Sequence, residues 1–211
     1  SKIAFMKEEL NGRVFSDPFP HLIVENFYNK EELELVWEEL KFLTKPDKLL
    51  PPKDYGGVEG YTDAKALCLD TEYTHRNISN ILTVNRKIFD NQILEPFMKI
   101  HDCCGEAANS NYDITKVRYY HDGDRYDPHT DRIFHFLAFS YFYKEPKKFT
   151  GGELEFPKYN YELTCENNSL IIMPSWVQHG VKKVSITDSN YYDGYGRYCI
   201  SSFFGSRDEK K

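Results

Sequence analysis

Residues 134–143, FHFLAFSYFY, are almost wholly apolar at both parities, and this run limits the fold more than any other feature of the chain. A strand sends alternate side chains to opposite faces, so a strand with no polar side must be covered on both. Around it, from about residue 112, short β-branched and aromatic runs alternate with turn residues: KVRYYH, SLIIMP, HGVKKVSI and RYCISSFFG. Several short strands at close spacing indicate an antiparallel sandwich or barrel. Sixteen Tyr, 15 Phe and 2 Trp suit such a sheet, since flat rings pack well on a pleated surface.

The cover comes from upstream. Asn29 with Glu32 three positions later forms an approximate capping box. Leu33, Val36, Trp37, Leu40 and Leu43 then recur at helical spacing, and Pro46 ends the helix. A second helix is expected over 76–90, with Ile78, Ile81, Leu82, Ile88 and Phe89 inward, and a third from Pro96 to Cys104 with Pro in its first turn. Leu22-Ile23-Val24 reads as a short strand, and residues 51–63, PPKDYGGVEGYTD, as a mobile loop. The expectation is an α+β chain with a mainly β core: one domain over 1–211, with a helical or mixed support region at 1–111 and the β-core at 112–205.

Several functions are disfavoured. With 27 Lys plus Arg against 33 Asp plus Glu, the net charge is −6, so a generally basic nucleic-acid binder is not expected. No apolar run approaches transmembrane length, so no membrane partner is expected. The N-terminus, SKIAFMKEE, is too charged for a secretory signal. Five cysteines without a CxxC pair read as reduced thiols, and a cytoplasmic location is the simpler expectation.

The candidate chemistry lies in the β-core. His129 and Asp131 stand two apart, so on a strand both point to one face. His179 follows the apolar run SLIIMP directly, and Arg197 faces the same way as Cys199, Ser201 and Phe203. Two His and one Asp make a three-ligand facial set that leaves coordination positions open. A guanidinium suits a carboxylate held bidentately, and Ser201, on the same face as Arg197, is expected to donate to that carboxylate too.

In order, the motifs are YxxG at 120–123, PHxD at 128–131, YFY at 141–143, GGELxFP at 151–157, MPSxxxHxV at 173–181 and RYxISxxF at 197–204. This order resembles the Fe(II)/2-oxoglutarate-dependent dioxygenases, in particular the prolyl 4-hydroxylase-like branch. The resemblance implies a double-stranded β-helix (jelly roll) with the N-terminal helices packed on its major sheet. It implies His129, Asp131 and His179 as iron ligands, and Arg197 against the distal carboxylate of 2-oxoglutarate. It places a Tyr of the preceding strand, Tyr120 or Tyr119, on the cosubstrate, and a second one, Tyr141, beside the Arg. The cofactors implied are Fe(II), 2-oxoglutarate as cosubstrate, O2 and ascorbate. The activity implied is hydroxylation of a prolyl residue in a peptide or protein. The other readings are oxidation of another amino-acid side chain or a free small molecule, or a non-catalytic jelly-roll binding module.

The sequence departs from that pattern between His179 and Arg197, where the loop KVSITDSNYYDGYG is inserted. Collagen-type enzymes use a lysine as the cosubstrate anchor, and Lys182 and Lys183 are present here, but the strand after His179 is expected to turn both outward. Trp176 is a candidate for the rim of a substrate entrance, and residues 54–62 for a lid.

Overall fold

The computed structural model describes residues 10–187 and 190–208. The charged N-terminal stretch and, in the inserted loop, Asp188 and Ser189 lie outside the described residues. In chain order the elements are β1 (Asn11–Phe15), β2 (His21–Glu25), α1 (Lys30–Leu43), α2 (Pro52–Tyr55), β3 (Lys65–Cys68), α3 (Leu69–Glu72), α4 (Asn80–Val84) and α5 (Asn91–Met98). The β-core follows with β4 (Tyr112–Tyr120), β5 (Tyr126–His129), β6 (Phe136–Phe142), β7 (Phe149–Thr150), β8 (Leu154–Phe156), β9 (Tyr161–Leu163), β10 (Ser169–Pro174), β11 (His179–Val181), β12 (Ser185–Ile186) and β13 (Arg197–Gly205).

Two antiparallel sheets face each other as a double-stranded β-helix. The larger runs β1-β2-β10-β6-β13-β4-β3, the smaller β5-β11-β8-β9. Parity decides what each residue of β6 touches. Phe136, Ala138 and Phe142 enter the core beneath the helices, whereas Leu137, Phe139 and Tyr141 enter the core between the sheets. All seven residues of β6 are buried, as a two-sided strand requires.

The first helix forms as read. The Asn29 side chain accepts from Glu32 N, the Glu32 side chain returns to the Asn29 backbone, and Val36, Leu40 and Leu43 are buried. Beyond it the helical region differs from expectation. Residues 76–90 form one short α-helix flanked by 3-10 turns at 76–78 and 85–89, and Ile78 and Phe89 are exposed. The cause is Ser79, whose hydroxyl caps α4 by accepting from Leu82 N at 3.1 Å. That hydroxyl also donates to Glu39 Oε1 at 2.6 Å. Pro96 lies inside α5, not in its first turn; Asp90 caps this helix instead, accepting from Gln92 N at 2.8 Å. Residues 102–109 form a separate 3-10 segment.

Glu39 is the buried carboxylate that ties these helices together. It accepts from Tyr73 Oη at 2.7 Å and Ile81 N at 2.6 Å as well as from Ser79. Glu39→Ala strands the buried Ser79 hydroxyl and Ile81 N–H and removes the acceptor of the half-buried Tyr73 hydroxyl, and each buried orphan donor costs about 1–3 kcal/mol. The expected loss is about 3–5 kcal/mol of unfolding free energy, read from urea denaturation; a change below about 1 kcal/mol would refute this account of the helix layer.

His21 supplies a pH signature. It is fully buried, its Nδ1 donates to the Phe19 carbonyl at 2.8 Å, and its ring stacks on Phe15 at 4.6 Å. Burial lowers its pKa below the ordinary value. The unfolded chain therefore binds the proton more readily, and stability is lost as pH falls below about 6.5. His21→Phe should show a smaller drop in urea midpoint between neutral and mildly acidic pH than the parent; an identical drop would show that His21 does not contribute.

Residues 51–63 are better anchored than a mobile loop. Tyr55 is buried and donates to the Ala64 carbonyl at 3.0 Å, and Thr62 bridges to Tyr126. Between these two ties, Val58 and Tyr61 are exposed.

Candidate active site

The smaller sheet assembles the metal-binding set. In the β11–β5 pairing His179 lies directly opposite His129, which brings the ring centroids to 4.5 Å. Asp131 sits just past the end of β5, and its backbone N–H is held by the Ser175 carbonyl at 3.1 Å. One ligand atom from each of the three residues falls within 4.8 Å of the others. Asp131 Oδ2 stands 3.3 Å from His179 Nε2 and 3.8 Å from His129 Nε2.

Backbone carbonyls fix which nitrogen each imidazole offers. His129 Nδ1 lies 2.8 Å from the Asp127 oxygen and His179 Nδ1 lies 2.9 Å from the Val177 oxygen. A carbonyl only accepts, so Nδ1 carries the proton and Nε2 turns its lone pair to the centre. Burial, aided by His179, pushes the His129 pKa down to about 4, so the ring is neutral at neutral pH. For Asp131, burial acts to raise the pKa, but the neighbouring His179 and His129 outweigh it and hold the carboxyl below its usual range. Two imidazoles that offer Nε2 and a carboxylate, with Asp131 Oδ2 buried and lacking a hydrogen-bond donor, are a donor set that fits Fe(II).

The larger sheet supplies an anion site facing this cluster. Arg197 is 1% exposed, sandwiched between the rings of Tyr141 at 4.6 Å and Tyr120 at 4.8 Å. Its Nη2 donates to Cys165 Sγ at 3.4 Å, but its Nε and Nη1 have no partner, and neither does Tyr141 Oη. Unanswered buried donors around a guanidinium fit a carboxylate such as one end of 2-oxoglutarate. The glycine pair of GGELEFP makes room for it. Gly152 has φ +75°, and a Cβ there would lie 2.8 Å from Arg197 Cδ.

Register separates the two candidate tyrosines. Tyr120 lies opposite Arg197 and faces the inter-sheet core, while Tyr119 lies opposite Tyr198 and faces the helices. The Tyr119 hydroxyl accepts from Gly196 N at 2.9 Å and sits 3.0 Å from His121 Nδ1, so it braces the end of the inserted loop and is remote from the cosubstrate cleft. Ser201 lines the same cleft as Arg197, but four strand residues, about 13 Å, separate them. Cys199 lies between and stands 3.3 Å from the Ser201 hydroxyl, which corrects the expectation that Ser201 shares the carboxylate with Arg197. Lys182 points outward to Glu162 at 2.7 Å, and Lys183 is exposed. Trp176 is 38% exposed.

Some site residues escaped the sequence reading. Arg118 and Lys116 share the inward face of β4 with Tyr120, and Cys165 reaches Arg197 from the turn before β10. Counting back by twos from Tyr120 through KVRYYH finds the two cations; nothing local marks Cys165.

Residues 115–205, which carry the triad and Arg197, match the 2OG-Fe(II) oxygenase superfamily, in agreement with the resemblance carried by the motif order. A comparison with curated proteins gave no match. Among solved structures, a Pseudomonas putida prolyl-4-hydroxylase is similar with a TM-score of 0.58 at 16% identity, over 89% of this chain and 93% of that one. A Burkholderia pseudomallei oxidoreductase of the 2OG-Fe(II) oxygenase family gives 0.58 at 13%, over 88% and 85%. The non-heme alpha ketoglutarate dependent epimerase SnoN from nogalamycin biosynthesis gives 0.55 at 8%, over 88% and 76%. At these identities the likeness is one of fold.

Proposed function

We propose that this chain is an Fe(II)- and 2-oxoglutarate-dependent dioxygenase that hydroxylates prolyl residues in a peptide or protein. The observation that carries the reading is the pairing of the His129–Asp131–His179 cluster with a buried, partly unanswered Arg197, since both histidines and Arg197 line one cleft. The prolyl assignment rests on the motif order, from PHxD through GGELxFP to RYxISxxF.

In this reading His129 and His179 hold iron through Nε2 and Asp131 through a carboxylate oxygen. Arg197 holds the distal carboxylate of 2-oxoglutarate, with the Tyr141 hydroxyl as a further donor and the Tyr120 ring beneath the guanidinium. Bound there, Fe(II) with O2 and 2-oxoglutarate supplies the oxidising power: one oxygen atom enters a C–H bond of the substrate, the other enters succinate, and carbon dioxide leaves. The chain's own part is binding and exclusion. Phe139, Leu154 and Val181 line the cleft with apolar surface and restrict water. The Asp127 and Val177 carbonyls keep both imidazoles in the ligating tautomer. Among the described residues no helix is long and apolar enough to cross a membrane, and all five cysteines are free thiols, which suits a reducing cytoplasm.

The test is mass spectrometry of proline-containing peptides incubated with the protein, Fe(II), ascorbate and 2-oxoglutarate. A gain of one oxygen localised to proline, with matching succinate, is the expected result. Oxygen found only on another side chain or on a small molecule moves the substrate while keeping the chemistry. Absence of iron-dependent succinate with every substrate would leave a binding module.

A further inference from the structure

Two cations, Arg118 and Lys116, stand beside the metal cluster, with Asp131 as the nearest carboxylate to feel their charge. On β4 the inward positions run Tyr120, Arg118, Lys116, and their partners on β13 are Arg197, Cys199 and Ser201. Each step moves about 7 Å along the strand, away from Arg197. Arg118 thus borders the far end of the cleft that holds Arg197, and Lys116 lies beyond it. They line an adjoining cavity of about 830 Å³ that also touches His129, Asp131, Tyr55 and Phe203.

Arg118 is 5% exposed, and its hydrogen bond goes to a neutral phenol, Tyr55 Oη at 3.2 Å. The rings of Tyr55 and Tyr126 flank its guanidinium at 5.3 and 5.1 Å. Half-buried Lys116 rests over Tyr55 and Phe203 at 5.6 and 5.8 Å. Neither forms an ion pair with a carboxylate among the described residues. Of the acids around this cavity, Glu72 is taken by Lys48, Asp131 faces the two histidines, and Asp54 is exposed to solvent. Aromatic faces offset only part of what a desolvated cation loses. A planar fork with spare donors at a cavity wall is the arrangement that receives a carboxylate or phosphate.

We infer that Arg118, assisted by Lys116, binds an anionic group of the substrate, so the preferred peptide carries an acidic or phosphorylated side chain next to the residue that is oxidised. The inference rests on the dioxygenase reading above and narrows its substrate class. Arg197 anchors the cosubstrate at one end of the cleft, and Arg118 anchors the substrate at the other.

The test is equilibrium binding, with Zn(II) in the metal site and 2-oxoglutarate saturating so that nothing turns over. Acetylated peptide pools flank a central proline with Asp, phosphoserine or Asn, and a parallel set replaces the proline with alanine. Wild-type protein should bind the Asp or phosphoserine pools at least about tenfold more tightly than the Asn pool. Arg118→Gln should shrink that preference below about threefold, Lys116→Gln should reduce it, and Arg118→Lys should keep part of it. Equal binding of charged and neutral pools by the wild type overturns the inference, as does a preference that survives in Arg118→Gln. A loss of 2-oxoglutarate affinity in Arg118→Gln with the peptide preference intact also overturns it, by moving Arg118 to the cosubstrate. Should Arg118→Gln fail to fold, Arg118→Lys and Lys116→Gln decide the question. The alanine pools keep the two readings apart. Acid preference without proline preference retains the anion site and ends the prolyl assignment, and the converse ends the anion site alone.

Discussion

Asp131→Ala and His179→Ala proteins are expected to fold and yet consume 2-oxoglutarate at least about 100-fold more slowly than wild type at matched Fe(II). The cluster offers three ligand atoms within 4.8 Å, the minimum facial set, so each loss removes a third of the protein's hold on the metal. Loss of a partner behind a ligand alone costs 10–100-fold in other metal sites, so loss of the ligand itself should reach the upper end of that range. Succinate formation and Fe(II) binding, measured beside an unchanged circular-dichroism spectrum, check the expectation. Wild-type turnover in either variant would remove the metal assignment. A collapsed spectrum would instead assign the residue a structural role.

The second large effect concerns Arg197. Replacing it with Gln or Ala removes the charged donors from a site where Nε and Nη1 have no protein partner. Truncating one side of a buried charged hydrogen-bond pair costs on the order of 2–5 kcal/mol, which at 1.4 kcal/mol per decade is about a 30-fold or greater rise in the 2-oxoglutarate KM. Lys182→Ala and Lys183→Ala should change it little, because Lys182 reaches out to Glu162 and Lys183 is exposed. Steady-state kinetics with varied 2-oxoglutarate separates the cases. A lysine variant that loses cosubstrate affinity while Arg197→Gln keeps it would place the anchor on the strand after His179. Gln is the more informative replacement, since it retains bulk between the Tyr120 and Tyr141 rings.

The sequence alone determined the features that rest on local periodicity and chemistry. Alternation in FHFLAFSYFY required a strand covered on both faces, and Phe136 and Leu137 do enter opposite cores. The Asn29–Glu32 box set the start of α1 because capping is a contact over three residues. The His129–Asp131 pair was legible for the same reason, and His179 and Arg197 could be chosen by their strand context. The three-dimensional fold decided whatever depended on a partner distant in sequence. Helix 76–90 broke because Ser79 met Glu39, 40 residues away. Tyr120 and Tyr119 fit equally well on spacing, and only the pairing of β4 with β13 turned Tyr120 towards Arg197. Ser201 shares a face with Arg197, as period two requires, but about 13 Å of strand lies between them. Nothing in the sequence marked Arg118, which the folded chain surrounds with the rings of Tyr55 and Tyr126. A one-dimensional pattern fixes which way a side chain faces, whereas the free energy of a buried charge depends on what the rest of the chain brings against it.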